Sequence, residues 1–404
     1  MKLLNSMMAG FVKVGQLTII DVDGREHVHG PGGHPAATIR LTDKRLYRTL
    51  FLNPELRAGE AYMDGTLICE GGGIRDLLEV FAHNRAGLRK HPWQKVLKGT
   101  LKKIRRYHQR NKRSVSRKNV QHHYDLSNEF YRLFLDDDLQ YSCAYWPSLD
   151  ISLEQAQRAK KAHIAAKLNL KPGQSVLDIG CGWGGMAIYL AQNYDVNVVG
   201  VTLSDEQQAL ARQRVQDAGL SDKVDIRLQD YREVTELFDA VVSVGMFEHV
   251  GVPHYLEYFS KIRDVLKDDG CALVHSIGRK GGPGTTGAWI RKYIFPGGYS
   301  PALSETFSEI EKAGLWMTDC EILRLHYAET LLEWDKRFQA NRDKVVEMFD
   351  ARFARMWEFY LIVSEFSFRH GKHMNFQIQL AKSVNALPIS RDYITAAETK
   401  LMQA

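Results

Sequence analysis

The stretch Val176-Leu-Asp-Ile-Gly-Cys-Gly-Trp-Gly-Gly185 constrains the fold more than any other: an apolar strand-like run enters a glycine turn and leaves it as a helix. Further strand-like runs lie at Val196 to Val201, Val224 to Leu228, Phe238 to Val244 and Cys271 to Ile277, beside the first at Ser175 to Ile179. Helix-like segments at Met186 to Gln192, Asp205 to Ala218 and His254 to Leu266 alternate with them. This order predicts an α/β domain, a Rossmann-like parallel sheet with helices on both faces and its ligand at the carboxyl ends of the strands. Residues 1–90 read as a small α+β accessory domain, with strands at Leu17 to Val22 and Ala37 to Leu41 and helices at Lys44 to Phe51 and Ile74 to Asn84. Residues 91–119 read as a linker and 120–404 as the main domain, helical in pattern from Ala328 onward.

Gly180, Gly182 and Gly185 satisfy the dinucleotide pattern GxGxxG, with Gly184 inside the same turn. A dinucleotide site needs an acidic residue at the end of the second strand to hold a ribose, and that strand ends Gly200-Val-Thr-Leu-Ser204 instead. Asp178, two residues before the first glycine, resembles the S-adenosylmethionine (SAM) site of Rossmann-like methyltransferases. A carboxylate there can orient the ammonium end of SAM, and glycine lets the backbone approach the adenosyl part without Cβ collisions. Asp230 and Tyr231 follow the third strand, placed for an adenine amino group and ring face. An ordinary loop tyrosine is the plainer reading of Tyr231.

The chain has 404 residues, 44% of them apolar and 25% charged, which excludes a wholly disordered chain. No apolar run approaches the roughly 20 residues of a membrane span. The five cysteines form no CxxC pair and give no disulfide framework or structural zinc site, and the amino terminus shows no clear secretory signal. A cytoplasmic protein is expected. The net charge of +6 is unevenly spread: 13 Lys or Arg and no acid lie between Arg89 and Lys118, leaving the remainder at −7. There Trp93, Leu97, Leu101, Ile104 and His108 recur at helical spacing among Lys95, Lys98, Lys102, Lys103, Arg105 and Arg106. Such a basic amphipathic helix fits an anionic membrane surface, nucleic acid would attract the same charge, and a solvated linker helix is the bland alternative.

Several stretches together resemble the cyclopropane-fatty-acyl-phospholipid synthases and the related mycolic acid cyclopropane synthases and methyltransferases. They are His123-Tyr-Asp-Leu-Ser127, Tyr141-Ser-Cys-Ala-Tyr-Trp146, the glycine turn, Val201-Thr-Leu-Ser204, Phe247-Glu-His-Val250, His275-Ser-Ile277 and Tyr293-Ile-Phe-Pro296. Gly59-Glu-Ala-Tyr-Met-Asp-Gly65 resembles the amino-terminal domain of the phospholipid-acting branch. The resemblance implies a class I SAM-dependent methyltransferase fold. It also implies transfer of the SAM methyl to a cis double bond of a phospholipid acyl chain, followed by proton loss and ring closure through a carbocation. An alkene is a poor nucleophile, so holding the sulfonium close and in line supplies much of the rate. Aromatic faces can stabilise the cation without capturing it. Tyr293, Phe295, Tyr299, Tyr327, Trp357 and Tyr360 are candidates, although most aromatics in such a set are core.

By the same resemblance the base is a bound bicarbonate held by Cys143, Glu248, His275, the backbone at Ile277 and Tyr327. Tyr141 and Ser142 fall beside the methionine part of SAM, Thr202, Leu203, Ser204 and Gln207 along the ribose, and Tyr231 with Arg232 at the adenine. Taken singly, Cys143 and His275 also read as core residues and Glu248 as a helix-start acid. Ser364 stands where some members carry a cysteine, so a thiolate mechanism through that position is unavailable. The implied partners are unsaturated phospholipids at the inner face of the cell membrane, approached peripherally and without nucleic acid. Acyl methylation without ring closure, N-methylation of a small amine and a non-catalytic SAM-binding module are the competing readings, and a homodimer is compatible with the sequence. Neutral residues at Lys102, Lys103, Arg105 and Arg106 are expected to weaken binding to anionic vesicles and flatten its salt dependence in co-sedimentation; unchanged binding returns the segment to a solvated linker.

Overall fold

The computed structural model describes residues 1–88 and 126–403, so the basic segment and His123 to Asp125 of the first motif lie outside the described residues. The chain forms two compact units. The first contains residues 1–88 together with Thr285–Pro296 and Leu331–Lys372, two stretches drawn from within the expected 120–404 domain. The second contains the described residues from 126 to Gly284, then Gly297–Thr330 and those from His373 onward.

The first unit begins with helix α1 (Lys2–Phe11). Leu4, Met7, Met8 and Phe11 recur at helical spacing on its buried face, and Phe11 meets Phe81 with ring centroids 5.0 Å apart. Strands β1 (Gly15–Ile20), β2 (Glu26–Gly32), β3 (Ala36–Leu41) and β4 (Leu67–Glu70) form a sheet of order β2-β1-β3-β4. Helices α2 (Leu46–Leu52) and α3 (Pro54–Met63) connect β3 to β4, and α4 (Ile74–Leu88) follows. Asn53 caps α3 by accepting from the Leu56 N–H, with Pro54 at the first helical position. Glu60 of the Gly59 to Gly65 motif is buried and accepts from Lys292 Nζ (2.6 Å) and Tyr293 Oη (2.9 Å), which ties that motif to Tyr293-Ile-Phe-Pro296.

The second unit is built on a seven-stranded sheet. In sequence order its strands are β5 (Ser175–Ile179), β6 (Asn197–Thr202), β7 (Val224–Leu228), β8 (Phe238–Val244), β9 (Leu266–Arg279), β10 (Trp316–Leu323) and β11 (His373–Ala381), and their spatial order is β10-β11-β9-β8-β5-β6-β7. The five expected strands form its parallel part, but β11 pairs antiparallel with both β9 and β10. The sheet is therefore mixed, and the expected helical tail is interrupted by a strand at its centre. In β11, Met374, Phe376, Ile378 and Leu380 alternate with Asn375, Gln377 and Gln379. The polar partners are buried as completely as the apolar ones, so both faces are covered.

One face of the sheet packs Leu177, Val241, Ala272, Val274 and Phe376 against helix α8 (Tyr255–Val265), through Tyr258, Phe259 and Ile262. The other packs Val176, Val198, Ala240, Val242 and Leu273 against α5 (Leu153–Leu168) and α6 (Gly185–Tyr194), through Ile164, Ala187 and Leu190. Neighbours in sequence thus serve opposite layers, as the strand period requires. Phe376→Ala removes a fully buried ring and is expected to lower the unfolding free energy by about 3–5 kcal/mol in chemical denaturation.

Candidate active site

The chain runs from β5 outward to β6 and β7, then returns to the other side of β5 as β8, creating a switch point between the carboxyl ends of β5 and β8. Such a crevice is where open α/β sheets bind ligands. A cavity of about 160 Å³ opens there, where roughly 10–15 Å³ suffices for one water. Tyr141, Ser142, Asp178, Gly180, Gly182, Thr202, Leu203, Gln207, Asp230, Tyr231 and Arg232 line it, as expected of a donor site. Gly184 and Ser204 do not line it: Gly184 is the amino-terminal cap of α6 against Ala211, and Ser204 caps helix α7 (Asp205–Asp217) by accepting from the Gln207 N–H.

The turn is held by two amides, Gly180 and Cys181, that donate to the Val201 carbonyl at 2.9 and 3.1 Å. Gly180 has φ +81°, and a Cβ there would come within 2.9 Å of Met246, another lining residue. Glycine is needed both for the backbone conformation and for the close approach of β5 and the β8 loop. Asp178 is buried, its Oδ2 has no hydrogen-bond partner among the described residues, and burial pushes its carboxyl up to about 7 against the opposing effect of Lys160. An acceptor stranded in this way at a cavity wall fits a cationic or hydrogen-bond-donating ligand group.

At the far end Asp230 receives a bidentate pair from Arg232, 2.8 and 2.5 Å, so both carboxylate oxygens are already engaged. The Tyr231 ring lies edge-on to Tyr258 at 5.7 Å, with the Arg232 guanidinium 5.5 Å from its centroid. The sequence reading missed Gln140, Trp183, Met246 and His249 among the lining residues. His249 is held neutral by burial, which pushes it down to about 4. Trp183 donates to Asn128 Oδ1 at 2.7 Å and stands edge-on to Tyr131 at 5.0 Å. Its signal was its position inside the glycine turn.

Of the expected anion-site residues, Glu248 follows β8, and His275 and Ile277 lie on the neighbouring β9. Glu248 Oε1 accepts from the Ile277 N–H at 2.6 Å, while Oε2 is buried without a partner among the described residues. Burial pushes this carboxyl up to about 7, although the Ile277 amide favours the charged form. His275 is buried between the amides of Asn375 (2.7 Å) and Gln377 (3.1 Å) on β11. Lys167 donates to Gln377 Oε1 at 2.7 Å, which turns the Gln377 NH₂ toward Nδ1. Nδ1 therefore accepts, and burial keeps the imidazole neutral, so its proton sits on Nε2, which requires the Asn375 carboxamide to present its Oδ1 there instead of the NH₂. Both ring nitrogens are occupied, so His275 has no spare lone pair for use as a base.

Cys143 is buried, its thiol directed to the Ala144 carbonyl at 3.3 Å and held protonated by burial. Its neighbours tie to the start of helix α10 (His326–Ala340): Ala144 N–H donates to Thr330 Oγ1 at 3.1 Å and Trp146 N–H to His326 Nδ1 at 2.8 Å. These bonds bring the chain around Cys143 to the turn that carries the buried Tyr327. Of the aromatic candidates, Tyr299 donates to Glu305 at 2.6 Å in this unit, whereas Phe295, Trp357 and Tyr360 cluster in the first unit beside Tyr293's own contacts with Glu60. Ser364 lies on helix α11 (Ala351–Arg369) of that unit.

This sheet order, glycine turn, stranded acid and crevice define a class I SAM-dependent methyltransferase. The family model for mycolic acid cyclopropane synthetase matches residues 111–378. The chain is 39% identical over 365 residues to the cyclopropane-fatty-acyl-phospholipid synthase of Escherichia coli K12, covering 89% of this chain and 92% of that one. It is 41% identical over 273 residues to the tuberculostearic acid methyltransferase UfaA1 of Mycobacterium tuberculosis, covering 64% of each. The mycolic acid cyclopropane synthase CmaA1, solved with SAH and CTAB, superposes with a TM-score of 0.62 at 34% identity, over 65% of this chain and 97% of that one. The chain belongs to the cyclopropane synthase family that unites the mycolic acid and fatty-acyl-phospholipid enzymes, and SAM is its co-substrate.

Because the Asp178 carboxyl titrates higher in the folded protein than in the unfolded chain, the folded state holds an extra proton between about pH 4 and 7 and loses stability as pH rises through that window. Asp178→Asn, a fixed neutral mimic, is expected to gain stability relative to the wild-type protein between about pH 5 and pH 8 in thermal melts, while its affinity for SAM falls.

Proposed function

We propose that the protein transfers a one-carbon unit from SAM to a cis double bond of an unsaturated phospholipid acyl chain and closes a cyclopropane ring. The observation that carries this reading is the identity with the E. coli synthase along nearly the whole of both chains, the first unit included. In this reading the crevice residues bind SAM: Asp178 takes the ammonium end, Tyr141 and Ser142 the methionine part, Thr202, Leu203 and Gln207 the ribose, and Tyr231 with Arg232 the adenine. The first unit serves lipid association, and the basic segment 91–119 brings the enzyme to an anionic membrane surface.

Methyl transfer to the alkene leaves a carbon cation, and ring closure requires loss of one proton from the added methyl. Cys143, Glu248, Ile277 and Tyr327 are proposed to hold bicarbonate, a base that is not itself alkylated, with His275 backing the site through its bonds to Asn375 and Gln377 and not bonding the anion. The stranded Oε2 of Glu248 supports this, since a buried carboxyl pushed up to about 7 can carry a proton and donate it to an oxyanion. Neutral His275 cannot compete for the proton, because Asn375 and Gln377 occupy both its nitrogens. The Ile277 N–H is engaged by Glu248, so it joins an anion only as Glu248 shares or yields it. The M. tuberculosis relative named for tuberculostearic acid favours a second reading, a methyl branch without a ring.

Product analysis separates the two. With SAM and vesicles of unsaturated phospholipid, an acyl chain that gains one CH₂ and loses its alkene signal is expected, whereas a further gain of two hydrogens means a saturated branch. Glu248→Gln and Tyr327→Phe are expected to lower turnover by about 10²-fold or more with little change in SAM affinity. Equal losses in both quantities would remove these residues from the proton-handling site.

A further inference from the structure

Lys160 is completely buried on α5, yet among the described residues no carboxylate hydrogen-bonds to it. Its ammonium donates instead to two neutral groups, Gln140 Oε1 at 2.5 Å and Ser142 Oγ at 2.8 Å. One turn earlier on the same helix, the equally buried Gln157 donates through Nε2 to the backbone carbonyls of Gln140 (3.1 Å) and Ser142 (3.0 Å). Two adjacent side chains of one helix thus hold both the main chain and the side chains of residues 140 and 142. Those two residues are wall of the SAM crevice.

The same segment is pressed from its other side. Gln140 Nε2 donates to Asp138 Oδ2 at 3.0 Å, and Asp138 is itself paired with Lys161 and Arg214. A Cβ on Gly185, at the start of α6, would lie 2.3 Å from Gln140 Nε2 and 2.6 Å from Asp138 Oδ2. A side chain at the third glycine of the turn would have to displace the ends of Gln140 and Asp138. A buried cation is costly, and burial pushes Lys160 down to about 8. A neutral donor could bridge Gln140 and Ser142 at less cost if packing were the sole need.

We propose that Lys160 is a positioning residue for the methyl donor: with Gln157 it clasps residues 140–142 so that this wall of the crevice is set before SAM arrives. The charge strengthens both of its hydrogen bonds, and the wall does not have to be ordered at the expense of binding energy. Lys160 acts through Ser142 and Gln140 and is not itself a lining residue. The inference rests on the crevice being the SAM site, and a separate variant tests that reading.

The experiment uses the full-length protein, with SAH binding measured by calorimetry and SAM kinetics measured on vesicles of unsaturated phospholipid. Lys160→Met, which keeps chain length and removes the donors, is expected to weaken SAH and raise the SAM KM by about tenfold or more, with kcat per active site within about threefold. Gln157→Leu, which leaves the cation in place, is expected to move the same quantities in the same direction and keeps the test open if Lys160→Met does not fold. Ser142→Ala combined with Lys160→Met should cost less than the two effects added, because the lysine acts through the serine. A loss of kcat with unchanged KM, or additive effects in the double variant, would overturn the proposal. Asp178→Asn is the control. If it weakens SAH while Lys160→Met and Gln157→Leu stay within about twofold of wild type, the clasp is wrong and the crevice reading stands; if Asp178→Asn has no effect either, the crevice reading fails and the clasp with it.

Discussion

Charged and polar groups removed from water must find partners on elements that cannot move away, and the second unit is organised around that requirement. Helix α5 carries Gln157, Lys160, His163 and Lys167 into the interior, all less than a tenth exposed. His163 joins Glu321 and Glu398 at 2.7 Å each; burial opposes its charged form, but the two carboxylates raise its pKa above the ordinary value. Lys167 pairs with the same Glu321 and reaches Gln377, whose amide faces His275. Lys160 and Gln157 serve the other half of the site. One helix therefore supports both the crevice wall and the His275 imidazole.

Burial also sets the protonation states. Asp178 and Glu248 are both pushed up to about 7, and Lys160 is pushed down to about 8, so groups that would be charged in water stand near neutrality. Under the proposed assignment of the crevice to SAM, a carboxyl able to lose its proton as a cationic donor enters would give the crevice an adjustable counter-charge. His275 and His249 are neutral for the same reason, which leaves carboxyls as the titratable groups best matched to proton handling at the strand ends.

The parallel half of the sheet was legible because its strands are apolar on both faces and its turn needs glycine at a fixed place. Asp178 was legible as an acid at the end of a buried strand. Strand β11 was missed although Met374, Phe376, Ile378 and Leu380 alternate with polar residues as in a half-buried strand, and that alternation could not show that Asn375, Gln377 and Gln379 are buried too. They are buried on partners that lie far away in sequence: Lys167 and His275 for Gln377, and the Lys167 carbonyl for Gln379. Lys160 was hidden for the same reason, since a lysine on an amphipathic helix reads as exposed until the segment that receives its hydrogen bonds is folded beside it. Gly184 and Ser204 cap helices instead of lining the crevice, because spacing in a loop does not say which side of the turn faces it.

By itself the sequence determined the class of fold, the family and part of the crevice wall, since these depend on local pattern: strand period, glycine at a tight turn, an acid two residues before it. Tertiary structure alone decided which buried polar groups are satisfied, which are stranded and which nitrogen of His275 carries the proton. Those outcomes depend on contacts between residues as distant as 160 and 140, or 275 and 377, and on the loss of water around them. Hydrogen bonding in a dry interior is settled by who stands opposite whom, and that information exists only once the chain has closed on itself.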